Sequence, residues 1–260
     1  MKQIATFGAL MVMALGACGG SAADAPTTAS TSPSTTVATT TTLPPTTTTS
    51  VPPTTTTLPP AGPARYRLVV TNTWSEATHP GAVPADAHFS FLAGATHKGA
   101  ASLWAIGEPA TPGVTEMAET GKTDILVNEI GALEGVGTTL DWPWWFCAET
   151  TRSSKCGELT VEFDVDPDFP YLTLAAMIGP SPDWFVGVDS LLLQEDGQWR
   201  RIIEWALFPN DAGTRTSNRF ALFGPQNDPP DPITQITADS EQLIGPQPLG
   251  TYRLELIDLP

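Results

Sequence analysis

From residue 19 to about residue 64 the chain is built almost wholly of Thr, Pro, Ser and Ala. It includes Thr39-Thr-Thr-Thr-Leu-Pro-Pro45 and the near-copy Thr54-Thr-Thr-Thr-Leu-Pro-Pro60. Such a segment has too little apolar surface to offset the entropy of ordering it, and its prolines bias it toward extended polyproline II. Residues 19–64 therefore read as a disordered stalk, and whatever folds must come from residues 65–260. At roughly 3.1 Å per residue in that conformation, about 40 residues reach on the order of 100 Å. Thr/Pro tracts of this kind are expected to carry O-linked glycans. The two Leu-Pro-Pro copies read as low-complexity drift rather than a structural repeat.

Residues 1–18 read as a leader. Met1-Lys2 gives a positive start and residues 4–17 are apolar or small without charge. That run is too short to span a bilayer as a stable helix and has the form of a signal-peptide core. It ends Leu15-Gly16-Ala17-Cys18. Small residues before a Cys resemble the bacterial lipobox, in which the Cys is acylated and becomes the mature N-terminus. The expectation is a lipid anchor on Cys18, with an ordinary secretory signal as the alternative. Each buried CH₂ of such an anchor contributes about 0.8 kcal/mol, so a multiply acylated Cys holds firmly.

About 195 residues remain for the folded part, a comfortable single domain. Before residue 65 the only charged residues are Lys2 and Asp24, so nearly all of the net charge of −16 lies in this domain. That charge argues against nucleic acid or anionic head groups as partners. It agrees with cations or basic surfaces, and equally with a solubility role for an exported domain.

Period-two patterning marks strands. Residues 157–166 alternate Leu159, Val161, Phe163 and Val165 with polar neighbours. Residues 65–74 set Tyr66, Leu68 and Val70 on one side, and residues 251–258 set Tyr252, Leu254 and Leu256. Residues 171–178, 184–193 and 199–208 are more apolar and are expected to be central. Helices are expected only at residues 114–120 and 123–133. The fold class expected is all-β, an antiparallel β-sandwich with one or two short helices. Strands at both ends suggest a sealed unit. Residues 79–86, 135–145 and 225–248 are expected to be irregular and to carry function.

No catalytic signature appears: no Gly-x-Ser-x-Gly elbow, no His-Glu-x-x-His, no phosphate-binding glycine loop. His79, His88 and His97 are nine residues apart, which suits a zinc pair poorly, and they are read as hydrogen-bonding to loops. Once Cys18 is assigned to lipid, Cys147 and Cys156 remain, on the oxidising side of the membrane. A disulfide closing that short loop is expected rather than a metal or redox pair, contributing roughly 2–3 kcal/mol by loop entropy.

Carboxylates are the better lead. Asp183 precedes one apolar run and Asp211 follows the next. If residues 184–193 and 199–208 pair across Glu195-Asp-Gly197, Asp183 and Asp211 meet at one end of the sheet. Hard cations such as Ca²⁺ take several carboxylate, carbonyl and water oxygens, and Asp211-Ala-Gly-Thr214 offers a carboxylate, a tight turn and a hydroxyl. Asp189 is excluded: six residues along an unbroken strand put it roughly 20 Å from Asp183. For either Asp alone, a turn or cap role is the alternative.

Longer words carry a resemblance. Ser181-Pro-Asp-Trp-Phe-Val-Gly187 and Asp211-Ala-Gly-Thr214 are similar to the spondin domain, the N-terminal module of F-spondin and mindin. Trp74-Ser75, His79-Pro80, Ala87-His-Phe-Ser90, Gly94-Ala-Thr-His97, Leu103-Trp104 with Gly107, Gly113-Val114 and Ala118-Glu119-x-Gly121 match in order. The resemblance implies a C2-like sandwich, binding and adhesion rather than catalysis, and Ca²⁺ at the sandwich end. The family's metal aspartates map to Asp183 and Asp211; the third falls on Arg215, which is no carboxylate. Two arrangements then stand: Arg215 points away and Ca²⁺ binds with neutral ligands, or the guanidinium bridges Asp183 and Asp211.

The resulting expectation is a cell-surface lipoprotein presenting one spondin-like domain to a protein or glycan ligand. A hydrolase using Asp183 and Asp211 as acid–base groups is the alternative, and a structural envelope protein a third reading. Trp142, Trp144 and Trp145 are candidates for a binding rim or for burial beside the disulfide.

Overall fold

The structure is a computed structural model that describes residues 61–142, 146–147, 159–237 and 247–258. Cys18, residues 19–60 of the expected stalk, Trp144, Trp145 and Cys156 lie outside those residues, as do the side chain of Cys147 and hence the expected disulfide; Ala64, expected at the end of the stalk, instead begins the first strand. In chain order the elements are β1 (Ala64–Asn72), β2 (His88–Phe89), β3 (Leu92–His97), α1 (Pro112–Thr120), α2 (Asp124–Ala132), β4 (Val136–Trp142), β5 (Phe146–Cys147), β6 (Thr160–Val165) and β7 (Tyr171–Gly179). They continue with β8 (Trp184–Leu192), β9 (Gln194–Glu195), β10 (Gln198–Trp199), β11 (Ile202–Ala206), β12 (Pro209–Asp211), β13 (Thr234–Gln235) and β14 (Gly250–Asp258).

Two antiparallel sheets face each other. The smaller runs β11-β14-β1-β6, so the first and last strands of the domain are paired, a pairing that the sequence reading did not specify. The larger runs β13-β12-β8-β7-β2-β5, with β3 and β4 added along the other part of the β7 edge. Between the sheets lies one apolar cluster: Tyr66, Leu68, Tyr252 and Leu254 from the smaller, and Leu172, Leu174, Ile178, Trp184 and Val186 from the larger. Full burial of each such large side chain contributes about 1.5–3 kcal/mol.

The outer face of the larger sheet is not left to solvent. Ala93, Ala95, Ala175, Met177 and Phe185 pack there against Val114 and Met117 of α1, Leu126 and Ile130 of α2, and Trp104. That third layer explains why residues 172–179 read as nearly continuous apolar: β7 is buried on both faces. Position α1 is fixed at both ends. Thr111 Oγ1 accepts from Val114 N–H, Pro112 opens the helix, and Gly121 closes it at φ 74° with its N–H to Met117 O. On α2, Glu129 accepts from Thr111 Oγ1 at 2.6 Å and Gly113 N–H at 2.8 Å, tying the two helices together.

Two expectations need correction. Residues 135–145 are not irregular throughout: β4 occupies Val136–Trp142, pairing with β3. Leu140 turns inward and Trp142 is half-buried, but the glycines at 135 and 137 mask the alternation. Nor is 199–208 one central strand. The chain leaves the β9–β10 hairpin, joins β14 as the edge strand β11, and returns to the larger sheet as β12. Ile203 and Leu207 are buried while Ile202 is 54% exposed, the pattern of an edge. The helices fall where expected.

Candidate cation-binding pair and loop cleft

Asp183 and Asp211 do come together, by a different route from a simple hairpin. Strand β12 pairs antiparallel with β8 so that Asp211 stands opposite Trp184, next to Asp183. Ala212 N–H then donates to Asp183 O at 3.1 Å. Asp189, further along β8, is half-exposed and accepts from the Ser190 hydroxyl.

Asp183 organises the turn that follows β12. Its Oδ2 accepts from Thr214 N–H at 2.7 Å and Arg215 N–H at 2.8 Å, with Thr214 Oγ1 at 3.1 Å. Asp211 Oδ1 accepts from Gly213 N–H at 2.7 Å. Gly213 sits at φ 73°, and a Cβ there would lie 2.1 Å from Asp231 O, so the turn requires glycine on both counts.

The other oxygen of Asp183 is different. Oδ1 is buried with no hydrogen-bond partner. Its neighbour is the Asp211 carboxylate, which when ionised has no proton to give. Burial pushes the Asp183 carboxyl up to about 7, with repulsion from Asp211 adding to it and the donors from Arg215 and Thr214 opposing it. Asp211 is also raised, first by burial and then by Asp231, against the Gly213 N–H. The Trp184 indole nitrogen is close enough to favour ionised Asp211, yet it completes no hydrogen bond. A buried, unpaired carboxylate oxygen against a second carboxylate requires a proton or a cation.

Arg215 is not that cation. Its guanidinium neither points away nor bridges the two aspartates: Nη2 donates to Glu119 Oε2 at 2.6 Å and Nη1 to Gly224 O at 3.2 Å. The correction has a physical reason. Glu119, at the end of α1, is only 8% exposed, and a buried carboxylate takes the nearest guanidinium. Thr214 Oγ1 lies 2.8 Å from Glu119 Oε1 and shares its single proton between Glu119 and Asp183. Glu119 is thus a site residue that chemical reasoning on the sequence missed; its place in the Ala118-Glu119-x-Gly121 word was the only signal.

The donor set bears on Ca²⁺. Asp183 Oδ1 and the Asp211 carboxylate fit a hard cation as two adjacent oxygen ligands, leaving the rest of its shell to water and carbonyls. Among the described residues no three His, Cys, Asp or Glu groups cluster as a metal site. His79 and His97 are buried, and their rings meet the hydroxyls and carbonyls of Thr78, Gln247, Lys98 and Thr173. His88 Nδ1 bonds Asp86 O at 2.6 Å. Trp142 is half-buried against the inter-sheet core.

Asp211 also lines an open polar cleft of about 760 Å³, with Arg215, Asn218, Asn227, Asp231 and Thr234 around it. Asn227 braces it: its backbone N–H donates to Thr214 O, and its Nδ2 to Gly213 O at 2.9 Å and Asp231 Oδ2 at 3.1 Å.

The fold is a two-sheet antiparallel sandwich with an acidic cleft at its loop end. The Spondin_N family model matches residues 64–244. The chain is 34% identical to Spondin-2 of Rattus norvegicus over 180 residues, covering 68% of this chain and 54% of that protein. It is 32% identical to human Spondin-2 over the same shares, and 32% identical to Spondin-1 of Xenopus laevis over 68% of this chain and 22% of that protein. The chain belongs to the spondin domain family. It spans about half the length of the Spondin-2 proteins it matches. No helix among the described residues is long and apolar enough to cross a membrane.

Proposed function

We propose that this protein is an extracytoplasmic adhesion or ligand-binding lipoprotein, anchored through Cys18, whose Thr/Pro-rich stalk, from residue 19 to the start of β1, holds a spondin domain away from the membrane. The ligand is a protein or a glycan and binds at the loop end that carries Asp211. The observation that supports this most is the cleft of about 760 Å³ lined by Asp211, with the fully buried Asp183 behind it. Asp183 and Asp211 would hold a hard cation there, Ca²⁺ by preference, whose two charges would offset those of the pair. The disulfide between Cys147 and Cys156 belongs to the same reading.

Binding is favoured over hydrolysis by the state of the more perturbed carboxylate. Asp183 has no exposed surface, and its Oδ2 is occupied by donors from Thr214 and Arg215. A general acid or base must reach the atom it serves, and this one is committed to holding a turn. The reading is tested by arraying extracellular proteins and glycans against the full chain and against Asp211→Asn and Asp231→Lys variants of unchanged melting temperature. Retention that both variants weaken by tenfold or more is expected; retention indifferent to both would contradict a ligand site at this end.

A further inference from the structure

We infer that the cleft receives an arginine or lysine side chain of a protein partner, while an apolar neighbour of that side chain packs on Leu222 and Phe223. The inference rests on the binding reading above and names the chemistry of the ligand.

Charge comes first. Asp211 and Asp231 both line the cleft and repel each other. Arg215 is the lining cation, and its guanidinium is held by Glu119 and the Gly224 carbonyl. Behind Asp211 stands the buried Asp183, whose Oδ1 has no partner. With the charge of Asp183 and Asp211 offset by a proton or a cation, Asp231 remains the uncompensated carboxylate of the cleft, because Glu119 already engages the one lining guanidinium, Arg215. An incoming cationic side chain meets complementary charge and, at Asn218 and Thr234, polar groups that can serve as acceptors. A phosphorylated or sulfated ligand meets the same field with the wrong sign.

The second observation is independent of charge. Residues 215–226 form a loop closed at its base by the Arg215–Gln226 bridge and by Thr216 N–H to Pro225 O at 2.8 Å. Phe220 roots it, packing on Trp74 and Trp184 with ring centroids 5.7 and 5.4 Å away. Beyond that root the chain turns outward, leaving Leu222 51% and Phe223 68% exposed, with Phe223 at φ 69°. Bulky side chains seldom take that backbone conformation. The tip stands on the rim, because Gly224, next to Phe223, abuts Ser217 of the cleft wall. An aromatic anchor beside a desolvatable charge is the usual centre of a protein contact.

The probes are two capped hexapeptides, Gly-Ser-Arg-Phe-Ser-Gly and its Glu-for-Arg counterpart, titrated into the ¹⁵N-labelled full chain in chelator. Saturable millimolar-range amide shifts at Gly213, Thr216, Asn227 and Asp231 with the Arg peptide only are expected. Asp231→Asn should weaken that binding at least fivefold, and Phe223→Ser should weaken it while leaving the shifts from argininamide alone unchanged. Absence of shifts with the Arg peptide, or equal shifts with the Glu peptide, overturns the inference. The array experiment is separate: a neutral glycan retained at the cleft while the Arg peptide fails would sink this inference and leave the binding reading standing.

Discussion

At the scale of single residues, Asp183 sets the behaviour of the loop end with pH. Its folded-state pKa of about 7 lies above the ordinary carboxylate value near 3.9. The folded state therefore holds the proton more tightly, and this contribution to stability is full below about pH 4 and lost as pH rises through 7. In chelator, the urea unfolding free energy should fall by roughly 2 kcal/mol between pH 5.5 and 8 on account of this group. Asp183→Asn should flatten that component. Parallel pH profiles for the two proteins would refute the assignment. Arg215→Ala should cost about 1–3 kcal/mol by leaving Glu119 buried without its guanidinium. Adding Glu119→Gln should recover part of that loss in a double-mutant cycle; strict additivity would argue that the pair is not coupled. The two aspartates were legible in the sequence because each flanks an apolar run. The role of Glu119 was not, since an acidic residue on a helix is usually solvated, and only packing reveals that α1 ends over Thr214 and Arg215.

At the scale of elements, β12 does what a hairpin was expected to do. Three residues returning from the smaller sheet are enough to set Asp211 opposite Trp184. The apolar run 199–208 was visible, but its division between β10 and β11, with Leu207 and Phe208 leading on to β12, was not, because Ile203 and Leu207 satisfy an inward pattern whichever sheet receives them. The two-sided burial of β7 was legible as an unbroken apolar run, although the run alone did not say that helices cover one side. Close approach of β3 to β7 depends on Gly94, where a Cβ would lie 2.0 Å from Thr173 O. Gly94→Val should destabilise by more than about 2–3 kcal/mol in chemical denaturation. Gly131, in the exposed part of α2 with nothing near its Cβ position, gives the contrast. Gly131→Ala should stabilise by about 0.5–1 kcal/mol. Reversal of the two signs would contradict the packing described.

At the scale of the whole molecule, the domain is a sandwich whose terminal strands β1 and β14 pair, with helices on one outer face and an acidic cleft at one loop end. Where the strand pattern begins was legible in composition, because a Thr/Pro tract cannot build a core and β1 starts at Ala64, where the tract stops. The anchor belongs to this scale too: Cys18→Ala is expected to release the protein from the membrane fraction, and unchanged fractionation would contradict lipidation. β8–β12 pairing sets Asp211 opposite Trp184 and beside Asp183, and the central proposal is that this pair holds a cation. Terbium luminescence reads it directly, because Tb³⁺ takes oxygen sites suited to Ca²⁺ and a nearby indole sensitises its emission. Titration of the full chain with Tb³⁺ should give tryptophan-sensitised emission that saturates, is displaced by Ca²⁺, and disappears in both Asp183→Asn and Asp211→Asn. Emission that survives both substitutions, or none at millimolar Tb³⁺, would contradict the pair as a cation site.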